Sequence, residues 1–79
     1  MIARAHYRLM KGAPGSAVPV SPVLETNEIS GQDHREVFQL AKAQLEAQYS
    51  QGDHRPVIIN LVDDEGLLFP VHGDEILPL

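Results

Sequence analysis

The tripeptide Asp-His-Arg occurs twice in this chain of 79 residues, at positions 33–35 and 53–55. Histidine and aspartate are metal ligands, so the repeat could hold a cation between His34 and His54. The residues between the two copies have the pattern of a helix, whose rise per residue would separate the copies by about 30 Å. We therefore predict no metal site within one chain. A metal bridge between two subunits is the alternative.

The acidic residues of the C-terminal part suggest a cation site or an acid-base pair with His72. They fall in two predicted turns, Asp63, Asp64 and Glu65 in one and Asp74 and Glu75 in the other. The two turns lie at opposite ends of one predicted strand, so we expect them to be roughly 20 to 30 Å apart. We interpret these carboxylates as solvated turn residues and as the charged surface that contacts a partner.

Nucleophilic and phosphate-binding motifs are absent from the sequence. There is no cysteine, no serine lies in a Gly-x-Ser-x-Gly elbow, and no lysine follows the glycines at positions 12–15. We predict a protein that is not an enzyme and needs no cofactor.

Basic residues are concentrated at the start of the chain, where Arg4, Arg8 and Lys11 could bind nucleic acid. Tyr7 belongs to the opposite face of the same predicted strand, so no aromatic side chain lies between the cations. The formal net charge of −5 also disfavours binding to a phosphate backbone. Nucleic-acid binding is thus the alternative function, and pairing with acidic neighbours in a sheet is the simpler interpretation.

The elements that must position these residues begin with a helix in residues 30–52. Ser30 and Asp33 are alternative N-caps, Glu36 completes a capping box with Asp33, and Gly52 is the expected left-handed stop. The side chains spaced to face a sheet are His34, Val37, Phe38, Ala41, Leu45 and Tyr49. A second stripe contains Leu40, Ala43 and Ala47; we interpret it as widening the core face, with another chain packing there as the alternative.

Alternating and apolar segments predict strands on both sides of this helix. Residues 2–10 alternate with period two, residues 11–22 read as a loop or edge rich in proline and glycine, and residues 23–29 form a weak, solvent-facing edge strand. Residues 57–62 predict a central strand, which turns at 63–66 and returns antiparallel at 67–72. The order β-β-α-β-β predicts an α+β fold with one amphipathic helix on a small, mostly antiparallel sheet.

One face of this sheet has no helix to cover it. If Val57, Ile59, Leu61, Phe69 and Val71 meet the helix, then Ile58, Val62 and Leu68 lie near the other face. Such a face is less polar than a free surface, and we expect a binding partner to cover it.

The sequence as a whole predicts a single domain over residues 1–79, cytoplasmic, with no membrane segment. We expect a small acidic module that binds another protein, with a homodimer as one form of this binding. In size, charge and architecture it resembles the accessory inhibitors that bacteriophages and other mobile elements encode, including anti-CRISPR proteins. The resemblance implies a regulatory or inhibitory role; no motif carries it.

Overall fold

The computed structural model describes residues 1–13, 15–72 and 75–76, the last two by their backbone alone. One helix packs on one antiparallel sheet, which confirms the α+β class predicted from the sequence. The elements in chain order are β1 (Ile2–Lys11), β2 (Val18–Pro19), β3 (Leu24–Glu25), β4 (Ile29–Ser30), α1 (His34–Gln48), β5 (His54–Asp63), β6 (Leu68–His72) and β7 (Glu75–Ile76).

The helix begins at the cap that the sequence indicates. The Asp33 carboxylate accepts a hydrogen bond from the backbone N–H of Glu36 at 2.9 Å, which satisfies one of the free donors of the first turn. The Glu36 carboxylate accepts in return from the backbone N–H of Gln32 at 3.1 Å. The reciprocal bond of the capping box is therefore formed with Gln32, the residue before the cap, and not with Asp33 itself. Ser30, the alternative N-cap, belongs to β4.

The predicted helix stop at Gly52 is wrong. The helix ends at Gln48, and the backbone N–H of Tyr49 donates to the carbonyl of Leu45 at 3.0 Å. Gly52 does not adopt a positive φ, whereas Gly66 does so in the turn before β6, with φ of 86°. The helix stops early because Tyr49, whose φ is −111°, leaves helical geometry and places its ring against Tyr7.

The sheet is centred on β1 and β5, which pair along almost their whole length. The order across the sheet is β2-β1-β5-β6-β7, and the short strands β3 and β4 also pair with β1. The predicted edge character of residues 11–29 is thus confirmed, although two short strands, β3 and β4, replace the single strand expected over 23–29, and β2 lies within the segment 11–22. Pro22, which cannot donate to a ladder, lies in the gap between β2 and β3.

A β-bulge in β5 changes which side chains face the helix. His6 pairs with Asn60 and Tyr7 with Ile58, so Ile59 is an extra residue opposite β1. Ile58 is consequently buried with the core, whereas Ile59 is 36% exposed. The prediction that Val57 and Ile59 face the helix and Ile58 faces away is wrong, because strict alternation fails across a bulge.

The core lies between α1 and the sheet. Its helix residues match the predicted core face, and Leu40, Ala43 and Ala47 remain exposed, so the predicted widening of that face is wrong. The buried apolar residues are Ala3, Ala5, Tyr7, Ile29, Val37, Phe38, Ala41, Leu45, Ile58, Leu61 and Phe69.

Two hydroxyl side chains replace ladder hydrogen bonds along the irregular edge of β1. Thr26 Oγ1 accepts from the backbone N–H of Ala5 at 2.9 Å, and the N–H of Thr26 donates to the carbonyl of Ala5 at 2.9 Å. Ser21 Oγ accepts in the same way from the N–H of Leu9 at 2.9 Å. Thr26 is buried, so its predicted place on a solvent-facing edge is wrong: its hydroxyl belongs to the backbone pairing.

We predict that Thr26→Val lowers the free energy of unfolding by about 1–3 kcal/mol, because the buried N–H of Ala5 loses its acceptor. Urea unfolding measured by circular dichroism tests this. Thr26→Ser keeps the hydroxyl and should recover most of the loss. A loss of stability for serine with none for valine would show that the methyl group, not the hydrogen bond, matters.

Candidate functional site

The sheet surface turned away from α1 is the candidate site, and we call it the open face. Alternation along β1 and the register of its neighbours define its residues. They are Ile2, Arg4, His6, Arg8 and Met10 of β1, Arg55, Val57, Ile59, Asn60 and Val62 of β5, and Leu68 and Pro70 of β6.

Apolar side chains on the open face are accessible to solvent. Ile2 is 40% exposed, Ile59 36% and Leu68 47%. Val62 lies between β1 and β6, opposite Arg4 on one side and Leu68 on the other. The predicted apolar character of this face is therefore present, with Ile59 taking the place that the sequence assigned to Ile58.

A polar cluster occupies the middle of the open face. Arg4 contacts Glu25 at 3.2 Å and Glu28 at 3.3 Å. His6 lies between two acceptors, with Nε2 at 2.9 Å from Glu25 Oε2 and Nδ1 at 2.8 Å from Asn60 Oδ1. Pairing of the N-terminal basic residues with acidic neighbours in the sheet is thus confirmed for Arg4, and His6 forms a hydrogen bond with Glu25.

These contacts alter the acidity of Glu25. The hydrogen bond from His6 and, to a smaller extent, the charge of Arg4 lower the pKa of this carboxyl below its ordinary value of 4.5, while desolvation opposes them. A lowered folded-state pKa stabilises the fold above the unfolded-state pKa, and this contribution disappears as the pH falls through the folded-state value.

We predict that unfolding free energy falls as the pH is lowered below about 4.5, and that Glu25→Gln reduces this fall. Urea titrations between neutral and acidic pH measure the slope. Glu46→Gln, at an exposed helix position, is the matched control and should keep the wild-type slope. If Glu25→Gln also keeps it, then the Glu25 contacts do not contribute to acid sensitivity.

The acidic turn between β5 and β6 contains one carboxylate that forms hydrogen bonds within the turn and two that are exposed to solvent. Asp63 Oδ1 accepts from the backbone N–H groups of Glu65 at 3.0 Å and Leu67 at 2.7 Å, so Asp63 holds the turn together. Asp64 and Glu65 are exposed. Sequence reasoning missed the role of Asp63, although aspartate at the start of a turn signals this type of bond.

The second predicted acidic turn is described only in part. Asp74 and the side chain of Glu75 lie outside the described residues. The backbone of Glu75 pairs with His72 in the ladder between β6 and β7. Among the described residues, Asp64 and Glu65 are the exposed carboxylates of the predicted contact set.

We predict that Asp63→Ala lowers the free energy of unfolding by about 1–2 kcal/mol, because two turn N–H groups lose their acceptor. Asp64→Ala removes the adjacent charge and should change stability by less than about 0.5 kcal/mol. Thermal and urea unfolding of the two variants test the distinction. Similar losses in both would mean that charge, not the turn hydrogen bonds, determines the effect.

The three basic residues proposed for nucleic-acid binding do not form one continuous patch. Arg4 is paired with two carboxylates, whereas Arg8 and Lys11 lie exposed toward the far end of β1. Arg55 pairs with Met10 in the ladder and adds a third exposed cation there. This basic end is opposite the end of the sheet that carries Asp64 and Glu65.

The described residues also form a cleft and a pair of tyrosine hydroxyls away from the middle of the open face. The cleft, of about 290 Å³, lies between α1 and the start of β5, with Lys42, Glu46 and Arg55 in its wall. The Tyr7 and Tyr49 hydroxyls lie 3.0 Å apart, and burial together with this bond raises the pKa of Tyr7 to about 12, so that hydroxyl stays protonated at neutral pH. Within the described residues, no group of three acidic or histidine side chains is placed to hold a metal ion.

Comparison with known proteins gives no relative. No protein-family model matches the chain, and no curated protein or solved structure is significantly similar to it. Within the described part of the chain, α1 is too short and too polar to cross a lipid bilayer.

Proposed function

We propose that this chain is a small, non-enzymatic protein-interaction module that binds a protein partner through the open face. The observation that carries the proposal is the exposure of Ile2, Ile59 and Leu68 on one side of the sheet. Removing such side chains from water on binding is favourable by roughly 25 cal/mol per Å² of apolar area. Apolar surface with polar surroundings is typical of a protein interface.

The polar residues of the open face suit a contact that is specific as well as apolar. Arg4 is paired with both Glu25 and Glu28, so its charge enters an interface already compensated, and the cluster keeps one carboxylate in excess. Asp64 and Glu65 stand at the rim, where charges influence association rate and specificity more than affinity. The inhibitory or regulatory role expected from size and charge stays a prediction.

Affinity capture with variant baits tests this function. The wild-type chain is compared with Leu68→Asp, which places a charge on the open face, and with Leu40→Asp on the outer side of the helix. Leu40 is 41% exposed and Leu68 47%, so the two changes are matched in exposure and chemistry. Captured proteins, including untagged copies of the chain itself, are quantified by mass spectrometry.

We expect Leu40→Asp to capture the same protein as the wild type and Leu68→Asp to lose at least about 90% of it, a tenfold change that corresponds to about 1.4 kcal/mol. Circular dichroism must show both variants folded. Loss of the captured protein with Leu40→Asp and not with Leu68→Asp would assign binding to the helix. Capture that neither variant alters would contradict the open face as the binding surface.

A further inference from the structure

Charged side chains lie at the two ends of the open face, with opposite sign at each end. Arg8 and Arg55 are exposed at one end. At the other end the backbone N–H of Asp64 donates to the carbonyl of Ile2 at 3.2 Å, which continues the register of β1 and β5 and places Asp64 opposite Ile2, with Glu65 following in the turn. Lys11 and Asp53 are also exposed near the basic end, but alternation along β1 puts Lys11 on the helix side of the sheet, so the open face carries two cations there.

We propose that the open face binds a second copy of this chain, face to face and with the strands of the two copies antiparallel. This proposal rests on the open face being the binding surface. The two ends of this face carry opposite charges. If the strands of one copy run antiparallel to those of the other, the basic end of each copy lies over the acidic end of its partner. A two-fold axis that lies between the faces and perpendicular to the strands produces this arrangement.

The register of the strands determines which residues meet. His6 lies midway between Ile2 and Met10 of β1, and an axis over His6 and Asn60 brings Ile2 of one copy over Met10 of the other. The same operation brings Arg55 over Asp64, because Arg55 pairs with Met10 and Asp64 lies opposite Ile2. The contact between Arg55 of one copy and Asp64 of the other therefore occurs twice in the dimer.

The remaining residues of the face are consistent with this pairing. Val57 and Val62 exchange places across the axis, since Val57 lies opposite Arg8 and Val62 opposite Arg4. Arg8 of one copy then lies over Arg4 of the other, with Glu25 and Glu28 beside this pair, so two arginines meet two carboxylates. Leu68, beside Val62, extends the apolar contact.

The other way of stacking the two faces is disfavoured by charge. If the axis ran parallel to the strands, the basic end of one copy would lie over the basic end of the other, and the two acidic turns would lie together at the opposite end. Like charges brought together in an interface select against that arrangement. The charges therefore determine the orientation, and the exposed apolar side chains supply the attraction.

The area of the open face determines how tightly the two copies are expected to bind each other. A ten-residue strand spans about 30 Å, and three strands about 15 Å, so a dimer buries on the order of 900 Å² in total, at the low end of specific interfaces. We expect a dissociation constant in the micromolar range. Raising the salt concentration should weaken the dimer, because its charged contacts lie at the rim.

Charge exchange between two variants tests the proposal directly. Arg55→Glu and Asp64→Lys are each studied by sedimentation velocity from about 10 to 500 μM, alone and as an equimolar mixture. In a homodimer of either variant, positions 55 and 64 carry charges of the same sign, and they meet at both ends of the interface. The dissociation constant of each variant alone should therefore rise about tenfold or more.

In the mixture a heterodimer should form with near wild-type affinity. One of its two rim contacts then joins the introduced glutamate to the introduced lysine, and the other joins the native Arg55 of one chain to the native Asp64 of the other. Both contacts are again between opposite charges. Arg35→Glu and Glu46→Lys, exposed on the helix, are the controls and should leave association unchanged.

Each outcome separates this inference from the proposed function. A wild-type chain that stays monomeric at 500 μM, yet captures another protein in a manner sensitive to Leu68→Asp, overturns the dimer and keeps the open face as a binding surface. A dimer that both single variants leave unchanged overturns the antiparallel stacking. A monomer whose partner capture is unaffected by Leu68→Asp contradicts both proposals.

Discussion

Leu61→Ala is expected to lower the free energy of unfolding by about 2–5 kcal/mol, a cost typical of truncating a leucine in a closed core. Leu61 has no exposed surface, and it lies in the central strand between Ala5 on β1 and Phe69 on β6. Its neighbours belong to paired strands and cannot move inward without breaking the ladder. The cavity left by the substitution should therefore persist.

This loss is large relative to the whole stability of so small a domain. A chain of this length has a free energy of unfolding of about 4–12 kcal/mol, and we expect the melting temperature to fall by at least about 10 °C. Thermal and urea unfolding followed by circular dichroism measure the effect.

Leu68→Ala is the matched control on the neighbouring strand. Leu68 is 47% exposed, so its truncation should cost less than about 1 kcal/mol in the monomer and leave the slope of the urea transition unchanged. Comparable losses at both positions would show that the open face is packed in solution. Such a result, obtained at low micromolar concentration, would point to a dimer tighter than its area predicts.

The parts of the fold that the sequence predicts well are those governed by local chemistry. The cap at Asp33 and the helix face from His34 to Tyr49 follow from hydrogen-bonding capacity and from the helical period, which act within a few residues. The predicted turn at 63–66, in which Gly66 adopts a positive φ, belongs to the same class. These features require no knowledge of distant residues.

The features that sequence reasoning missed depend on residues distant in the chain. The bulge at Ile59 exists because β5 must match the register of β1, and no local signal in the Val57–Val62 segment distinguishes Ile58 from Ile59. Thr26 is buried because its hydroxyl completes the ladder at Ala5, 21 residues away. The early end of the helix reflects the contact between Tyr49 and Tyr7.

The candidate site likewise combines features that the local sequence predicts with features that depend on residues distant in the chain. An apolar face opposite the helix follows from composition, but the residues that form it change once the bulge is present. Arg4 and Asp64 were assigned to different functions from sequence alone, whereas the ladder places both on the open face. The ordering of charge along that face comes from the antiparallel pairing of β1 with β5, which no single segment encodes.

The second large effect on stability is expected at Ala41, where α1 packs closely against the sheet. Ala41 has no exposed surface on the face of α1 that packs against the sheet, and beneath that face lie Ala3 and Ala5 of β1, both almost fully buried. Small side chains on both elements allow the helix to approach closely. Ala41→Leu should therefore lower the free energy of unfolding by about 1–3 kcal/mol, because a larger side chain must displace well-packed neighbours.

Ala43→Leu, on the exposed side of the same helix, isolates the packing effect. Leucine and alanine have similar helix propensities, so Ala43→Leu should change unfolding free energy by less than about 0.5 kcal/mol. Urea unfolding of the two variants at equal concentration gives the comparison. If Ala41→Leu were as stable as the wild type, α1 would have to shift away from β1 at no cost, and the close helix packing on which the core depends would be wrong.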